Sequence, residues 1–88
     1  MSEAPDQRLK RMGMRSWRRG TKEMDLILGP FSDARLGAFD ATALDLYDAL
    51  LAENDQDLYP WITGAAPAPE RFRALISDIS AFARARLS

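Results

Sequence analysis

Apolar residues recur along most of the chain at spacings of three and four, the period of a helix with one buried face. The most regular repeat predicts a C-terminal helix that is opened by Pro69. Its apolar positions are Phe72, Leu75, Ile76, Ile79, Phe82 and Ala83. A second stripe follows Asp40, a good N-cap, and predicts another amphipathic helix. Its positions are Leu44, Tyr47, Leu50 and Leu51.

Two further helices are predicted before Asp40. The first runs from an N-cap at Asp6 to Trp17 or Arg18, and Gly20 then breaks it. The second begins at Thr21 and ends near Gly37, and the pair Gly29-Pro30 is expected to kink or restart it, because proline lacks a donor. The apolar positions of the two helices are Leu9, Met12 or Gly13, and Trp17 in the first, and Met24, Ile27, Leu28 and Phe31 in the second.

A short helix is predicted in the segment "ENDQDLYPWITG". Asn54 or Asp55 caps it, with Asp55 preferred, Gly64 stops it, and Pro60 is expected only near its first turn. Its apolar positions, Leu58, Trp61 and Ile62, are expected in the core. The prediction is therefore an all-α, single-domain protein over residues 1–88, a small five-helix bundle with a disordered N-terminus at residues 1–5 and a radius of gyration of roughly 12 Å.

Composition narrows the function further. The chain has 88 residues, 47% of them hydrophobic and 28% charged, which is typical of a soluble globular domain. It has no histidine and no cysteine, so the usual zinc ligands, the thiol nucleophile and the best proton carrier at neutral pH are missing. We expect no enzyme, no catalytic residue and no metal or cofactor site. The absence of a long apolar run or signal core predicts a cytoplasmic protein that does not enter a membrane.

The net charge of −1 conceals an asymmetry along the chain. Residues 7–22 carry seven bases and no acid, whereas residues 23–57 carry nine acids and only one base, Arg35. This pattern suggests a charged partner for at least one half of the chain. One alternative is nucleic-acid binding by the basic first helix, with Trp17 as a stacking residue. An antitoxin-like interaction module is another.

The segment "RRGTKEMDL", residues 18–26, has two interpretations. Gly20 could mark a helix boundary, with Glu23 at the third helical position completing a capping box. That interpretation leaves the bases beside the cap unexplained, because Arg18, Arg19 and Lys22 crowd the positive end of the next helix dipole. Charges placed against local preference indicate a partner.

The same segment resembles the Arg-Gly-x-x-Glu motif, with its following Asp, of the succinate dehydrogenase FAD assembly factors, bacterial and mitochondrial proteins also called flavinators. The stretch "LLAENDQDLYPWITG" resembles the second block of that family, and "GPFSD" resembles its Met-Pro-Phe turn. The resemblance covers roughly residues 8 to 87. Two departures are Gly29, where many members have a larger residue, and the tail after Arg73, which matches only in pattern.

The resemblance implies a protein that binds the flavoprotein subunit of succinate dehydrogenase, or in some bacteria fumarate reductase, and promotes its covalent flavinylation. It implies partner-binding roles for Arg18, Arg19, Gly20, Glu23 and Asp25. We expect a bacterial, cytoplasmic monomer that retains no FAD when isolated. As an exposed contact, Arg19 should be replaceable by alanine at a cost below about 0.5 kcal/mol. Within the second block, Leu58 and Trp61 are expected to be core residues rather than contacts, and Asp57 stays unassigned.

Overall fold

A computed structural model describes residues 3–87, and this part of the chain contains only helices and connecting turns. The five α-helices predicted from the apolar stripes are confirmed. They are α1 (Pro5–Trp17), α2 (Lys22–Arg35), α3 (Ala41–Leu51), α4 (Asp55–Thr63) and α5 (Arg73–Leu87). Short 3₁₀ turns at Leu36–Ala38 and Glu70–Phe72 precede α3 and α5. The radius of gyration is 12.4 Å, close to the expected value.

Local capping chemistry explains most of the helix boundaries. Thr21 caps α2 by accepting the Met24 N–H at 3.3 Å, and Asp40 caps α3 by accepting the Ala43 N–H at 2.8 Å. Gly64 ends α4 in the left-handed conformation, with φ of 86°. The predicted cap at Asp6 is wrong, because α1 already begins at Pro5, whose fixed φ suits the first helical position.

The predicted N-terminal disorder lies only partly within the described residues. Residues 1–2 lie outside them, whereas the Glu3 carboxylate accepts a hydrogen bond from Arg11 Nε at 3.0 Å. This contact and the start of α1 at Pro5 give the described part of the segment defined local structure.

Both internal prolines are accommodated within continuous helices. α2 runs through Pro30 without restarting, although Pro30 cannot donate to the carbonyl four residues earlier. Pro60 is the sixth residue of α4, so the expectation that it lies near the first turn is wrong. The carbonyl that Pro60 leaves without a helical donor belongs to Gln56, an exposed residue whose backbone water can reach.

The core is formed by one stripe from each helix. α1 packs against α2 and α3, and α5 packs against α2 and α4. The fully buried side chains include Met12, Met24, Leu28, Phe31, Tyr47, Leu50, Leu51, Leu58, Phe72 and Ile79. Phe31 lies near the centre of this core, with Tyr47 stacked on it at 5.9 Å and Phe82 edge-on at 5.7 Å.

A buried hydroxyl pair joins α1 to α3. Ser16 Oγ donates to the Met12 carbonyl at 2.8 Å and lies 2.7 Å from the Tyr47 hydroxyl. Because the single hydroxyl proton of Ser16 is used on the carbonyl, Tyr47 donates to Ser16. Burial raises the pKa of Tyr47 to about 12.

We expect the stability of the protein to fall as pH rises from about 10 to 12. In the unfolded state Tyr47 ionises near pH 10, whereas in the folded state it keeps its proton to about pH 12. Between these values, ionisation of Tyr47 therefore lowers the free energy of the unfolded state relative to the folded state. The loss attributable to Tyr47 should reach about 2 kcal/mol at pH 12. It is measured as the difference between wild type and Tyr47→Phe in urea unfolding at several pH values. The matched control Tyr59→Phe, at an exposed tyrosine, should leave the pH profile unchanged.

The Trp17 indole leaves no space for a side chain at Gly29. A Cβ at this position would lie 2.3–2.5 Å from atoms of the Trp17 ring, which rests against the α2 backbone. The indole N–H lies 3.3 Å from both carboxylate oxygens of Asp33. The glycine that departs from the family pattern therefore provides space for a tryptophan.

Gly29→Ala should displace the Trp17 indole and destabilise the protein by about 1–2 kcal/mol, even though alanine favours helix. Red-shifted tryptophan emission, measured beside thermal unfolding, would report the displacement. Gly13→Ala in α1 is the control, because nothing lies within 4 Å of a Cβ there. If Gly29→Ala were as stable as wild type and its emission unchanged, the packing role of Gly29 would be refuted.

Candidate functional site

The turn between α1 and α2 carries the Arg-Gly-x-x-Glu residues and is held in one conformation by its own hydrogen bonds. Gly20 has a φ of 110°, a conformation that favours glycine. The Asp25 carboxylate accepts the backbone N–H of Arg19 at 2.6 Å, and Thr21 caps the helix that follows. Asp25 therefore acts inside the turn as a structural acceptor.

Arg19 joins this turn to the junction between α3 and α4. Its guanidinium donates to Asp55 Oδ1 at 2.9 Å, to the Leu51 carbonyl at 2.7 Å and to the Glu53 carbonyl at 2.8 Å. The side chain is only 8% exposed and that of Asp55 18%. The expectation that the Arg19 side chain is exposed is thus wrong, whereas its partner-binding role stays a prediction. The preference for Asp55 as the cap is also wrong, because Asn54 occupies the N-cap and Asp55 serves the ion pair.

Glu23 and the remaining bases of the motif point to solvent. Glu23 is the second residue of α2, so the predicted capping box with Glu23 at the third position is not formed. Its carboxylate makes no hydrogen bond or ion pair with residues 3–87, and neither do the side chains of Arg18 and Lys22. Within residues 3–87, the turn consequently presents one carboxylate and two cations without partners beside Gly20.

Two surface hollows adjoin this turn. One of about 530 Å³ lies between Gly20 and the N-terminus of α4, with Gln56 in its lining. The next, of about 410 Å³, is bordered by Glu23, Gln56 and Tyr59. They share Thr21, Asp55 and Gln56, so together they form one open surface between α2 and α4. The α4 side of this surface, with Gln56 and Tyr59, could not be found from the sequence, where the predicted contacts all lay between Arg18 and Asp25.

The second sequence block divides between core and surface. Leu58 is fully buried, and Trp61 is partly buried with its ring 6.1 Å from that of Phe72. These positions confirm the expectation that both are packing residues. Asp57 is exposed in the first turn of α4, where its negative charge interacts favourably with the positive end of the helix dipole.

The charge asymmetry of the chain is largely satisfied within the bundle. Asp45 and Asp48 of α3 face three arginines of α1 at 2.6–3.8 Å; the arginines are Arg8, Arg11 and Arg15. The hydrogen bond from Arg11 lowers the pKa of Asp48. The expectation of a charged partner for at least one half of the chain did not foresee that much of the basic half pairs with the acidic half inside the bundle. This arrangement gives nucleic-acid binding no support.

The described residues contain neither a metal-binding cluster nor a membrane-spanning helix. Among residues 3–87 no group of acidic side chains is arranged to hold a metal ion. No helix in the same range is long and apolar enough to cross a membrane. What the described residues do present is a small helical bundle with a constrained turn, on which a carboxylate has no hydrogen-bond or ion-pair partner among residues 3–87.

Comparison with known proteins defines the family. A family model described as the flavinator of succinate dehydrogenase matches residues 10–83. The chain belongs to this family of assembly factors, as its two motif blocks had indicated.

Curated relatives have names that agree with this family. The mitochondrial succinate dehydrogenase assembly factor 2 of Candida glabrata is 38% identical over 76 residues, covering 83% of this chain and 50% of the relative. The Schizosaccharomyces pombe protein of that name is 31% identical over 86 residues, covering 96% and 62%. The Drosophila grimshawi protein is 35% identical over 74 residues, covering 82% and 50%. The chain spans about half the length of such relatives.

The relatives correct the expected location. Those of Candida glabrata, Schizosaccharomyces pombe and Drosophila grimshawi are named as mitochondrial proteins. This finding contradicts the expectation of a bacterial cytoplasmic protein. That expectation rested on an absent signal core, which does not distinguish the compartments in which such a domain works.

Proposed function

We propose that this protein binds the flavoprotein subunit of succinate dehydrogenase and promotes covalent attachment of FAD to a histidine of that subunit. The observation that carries the proposal is the rigid turn of a flavinator-family chain, with Gly20 and an unpaired Glu23 exposed on it. The chain has no histidine, so the acceptor lies on the partner. The protein then acts as a chaperone-like assembly factor rather than as an enzyme. Fumarate reductase is a second target of the same chemistry.

The residues of the turn have different roles in this proposal. Gly20 lets the partner backbone approach closely, and Glu23 accepts a hydrogen bond near the acceptor histidine. Arg18 and Lys22, whose side chains have no acceptor among residues 3–87, pair with carboxylates of the flavoprotein or with phosphates of FAD. Arg19 and Asp25 contribute by holding the turn. Binding then selects a flavoprotein conformation in which flavinylation is faster.

The direct test is flavinylation of the flavoprotein subunit with and without this protein. Purified apo-flavoprotein is incubated with FAD, and covalent flavin is read as fluorescence of the denatured subunit on a gel. The expected result is a faster gain of covalent flavin when the protein is present, together with co-purification of the two chains. Equal rates in both arms, or failure of the chains to associate, would refute the proposal.

We also expect the isolated protein to retain no FAD through purification. Its surface hollows are shallow and no dinucleotide-binding glycine loop is present in the sequence. The purified protein should therefore show no flavin absorbance in the visible range. A stoichiometric flavin spectrum would contradict this prediction.

A further inference from the structure

Exposed apolar side chains gather on one side of the molecule. Within the described part of the chain, the large hydrophobic side chains that are most exposed are Met14, Trp17, Leu26 and Tyr59. All but Met14 border a series of hollows that begins at the Gly20 turn. Clustered exposure of this kind marks an interaction surface, whereas single exposed residues are ordinary.

The central hollow of the series lies between α2, α4 and α5. Its volume is about 300 Å³, and its apolar lining includes Leu26, Ile27, Tyr59 and Phe82. Leu26 is 52% exposed and Tyr59 43% exposed. This hollow, with the side chains that border it, is called the α2/α5 groove below.

The α2/α5 groove continues at both ends. Toward the Gly20 turn it shares Glu23 and Tyr59 with the adjoining hollow. In the other direction it shares Phe82 and Arg86 with a hollow of about 490 Å³ beside Trp17. A partner seated in the groove would therefore also reach Glu23.

The two ends of the groove carry opposite charges. Glu23 borders the end at the turn, and Arg86 borders the far end near the C-terminus of α5. Arg86 makes no ion pair with the described residues, so its guanidinium is available to a carboxylate from outside. Asp33 also lines the far hollow, and its carboxylate accepts from the Trp17 indole N–H. Arg86 is then the cation of that hollow without an ion pair among residues 3–87, and an apolar floor ending at such a cation fits an apolar segment that carries an acid.

We infer that the α2/α5 groove is a docking surface for an apolar segment of the flavoprotein subunit that bears a carboxylate opposite Arg86. The inference rests on the proposed function and adds a second contact region to it. A second copy of this chain is a poorer occupant, because it would cover Glu23, which the proposed function needs at the flavoprotein. Tyrosine and arginine at the groove are also the side chains that dominate binding energy at protein interfaces.

The test measures affinity for the flavoprotein subunit at about 0.15 M salt, where surface charges are screened beyond roughly 8 Å. Leu26→Ala and Tyr59→Ala should each weaken binding at least about tenfold, as truncated interface anchors do. Arg86→Glu should also weaken it at least about tenfold. The matched controls are Met14→Ala, an equally exposed methionine away from the groove, and Arg84→Glu, the same charge change on α5 outside it. Both controls should bind within about threefold of wild type, the scale of surface changes.

The outcomes separate the groove from the proposed function. If wild type binds and stimulates flavinylation while all three groove variants bind like their controls, the groove is not the docking surface and the proposed function stands. If wild type does not bind the flavoprotein, both fail. If sedimentation shows a wild-type dimer that Leu26→Ala dissociates, with flavoprotein affinity unchanged, the groove joins copies of this chain and the inference is overturned.

Discussion

Arg19→Ala should destabilise the protein by about 2–4 kcal/mol, the largest stability loss expected from any residue of the motif. The substitution leaves the nearly buried Asp55 carboxylate without its cation and removes donors from two backbone carbonyls. For a domain of this size the melting temperature should fall by roughly 10–25 °C. Thermal unfolding followed by circular dichroism measures the change.

The neighbouring arginine provides the control for this prediction. Arg18→Ala removes the same charge from a solvated side chain and should change stability by less than about 0.5 kcal/mol. Arg19→Lys should recover only part of the loss, because one ammonium cannot reach a carboxylate and two carbonyls as the planar guanidinium does. A double-mutant cycle with Asp55→Ala should show coupling of about 1 kcal/mol or more. If Arg19→Ala and Arg18→Ala had the same melting temperature, the structural role of Arg19 would be ruled out.

This stability effect changes how the motif is tested. Loss of function in Arg19 or Asp25 variants would not distinguish a lost contact from a disordered turn, because both residues hold the turn. Their partner-binding roles remain predictions. Glu23 is the residue at which the two explanations separate, since its side chain has no hydrogen bond or ion pair inside residues 3–87 to lose.

The features that sequence predicted well are those set by neighbours along the chain. The stripe from Phe72 to Ile79 is buried as expected, because a 3.6-residue period leaves only one face for the core. Asp40 and Gly64 mark helix ends for local reasons, a side-chain acceptor and a left-handed backbone. Thr21 also caps its helix through a side-chain oxygen. Because the N-cap is Thr21, Glu23 is the second helical residue, one position short of a capping box.

The features that sequence missed depend on residues far apart in the chain. Arg11 and Asp48 are separated by 37 positions. The pairing of the basic and acidic halves therefore depends on how the helices pack, which the sequence pattern does not show. Arg19 similarly finds Asp55 36 positions away. Leu26 offered a local signal, since it lies off the Met24 and Leu28 stripe of α2, and an apolar residue off the buried stripe is a candidate contact.

Glu23→Ala should reduce stimulated flavinylation by about 10- to 100-fold while the protein stays folded. If the carboxylate accepts a charge-assisted hydrogen bond in the complex, its loss is worth about 1.5–3 kcal/mol, and each 1.4 kcal/mol is tenfold. Stability should fall by less than about 1 kcal/mol, the value of an acid in the first turn of a helix. Covalent flavin fluorescence is measured at saturating protein, so that weaker binding does not mimic slower reaction.

Asp57→Ala is the matched control, because Asp57 is also an exposed acid in the first turn of a helix but belongs to α4. It should carry the same small stability cost and leave flavinylation unchanged. Glu23→Gln then separates charge from shape: partial activity is expected, since the amide oxygen still accepts a hydrogen bond but without a full negative charge. Wild-type stimulation by Glu23→Ala at saturation would remove Glu23 from the mechanism. Equal losses in Glu23→Ala and Asp57→Ala would assign the effect to net charge, because both carboxylates lie in the first turn of a helix and only a specific contact would distinguish them.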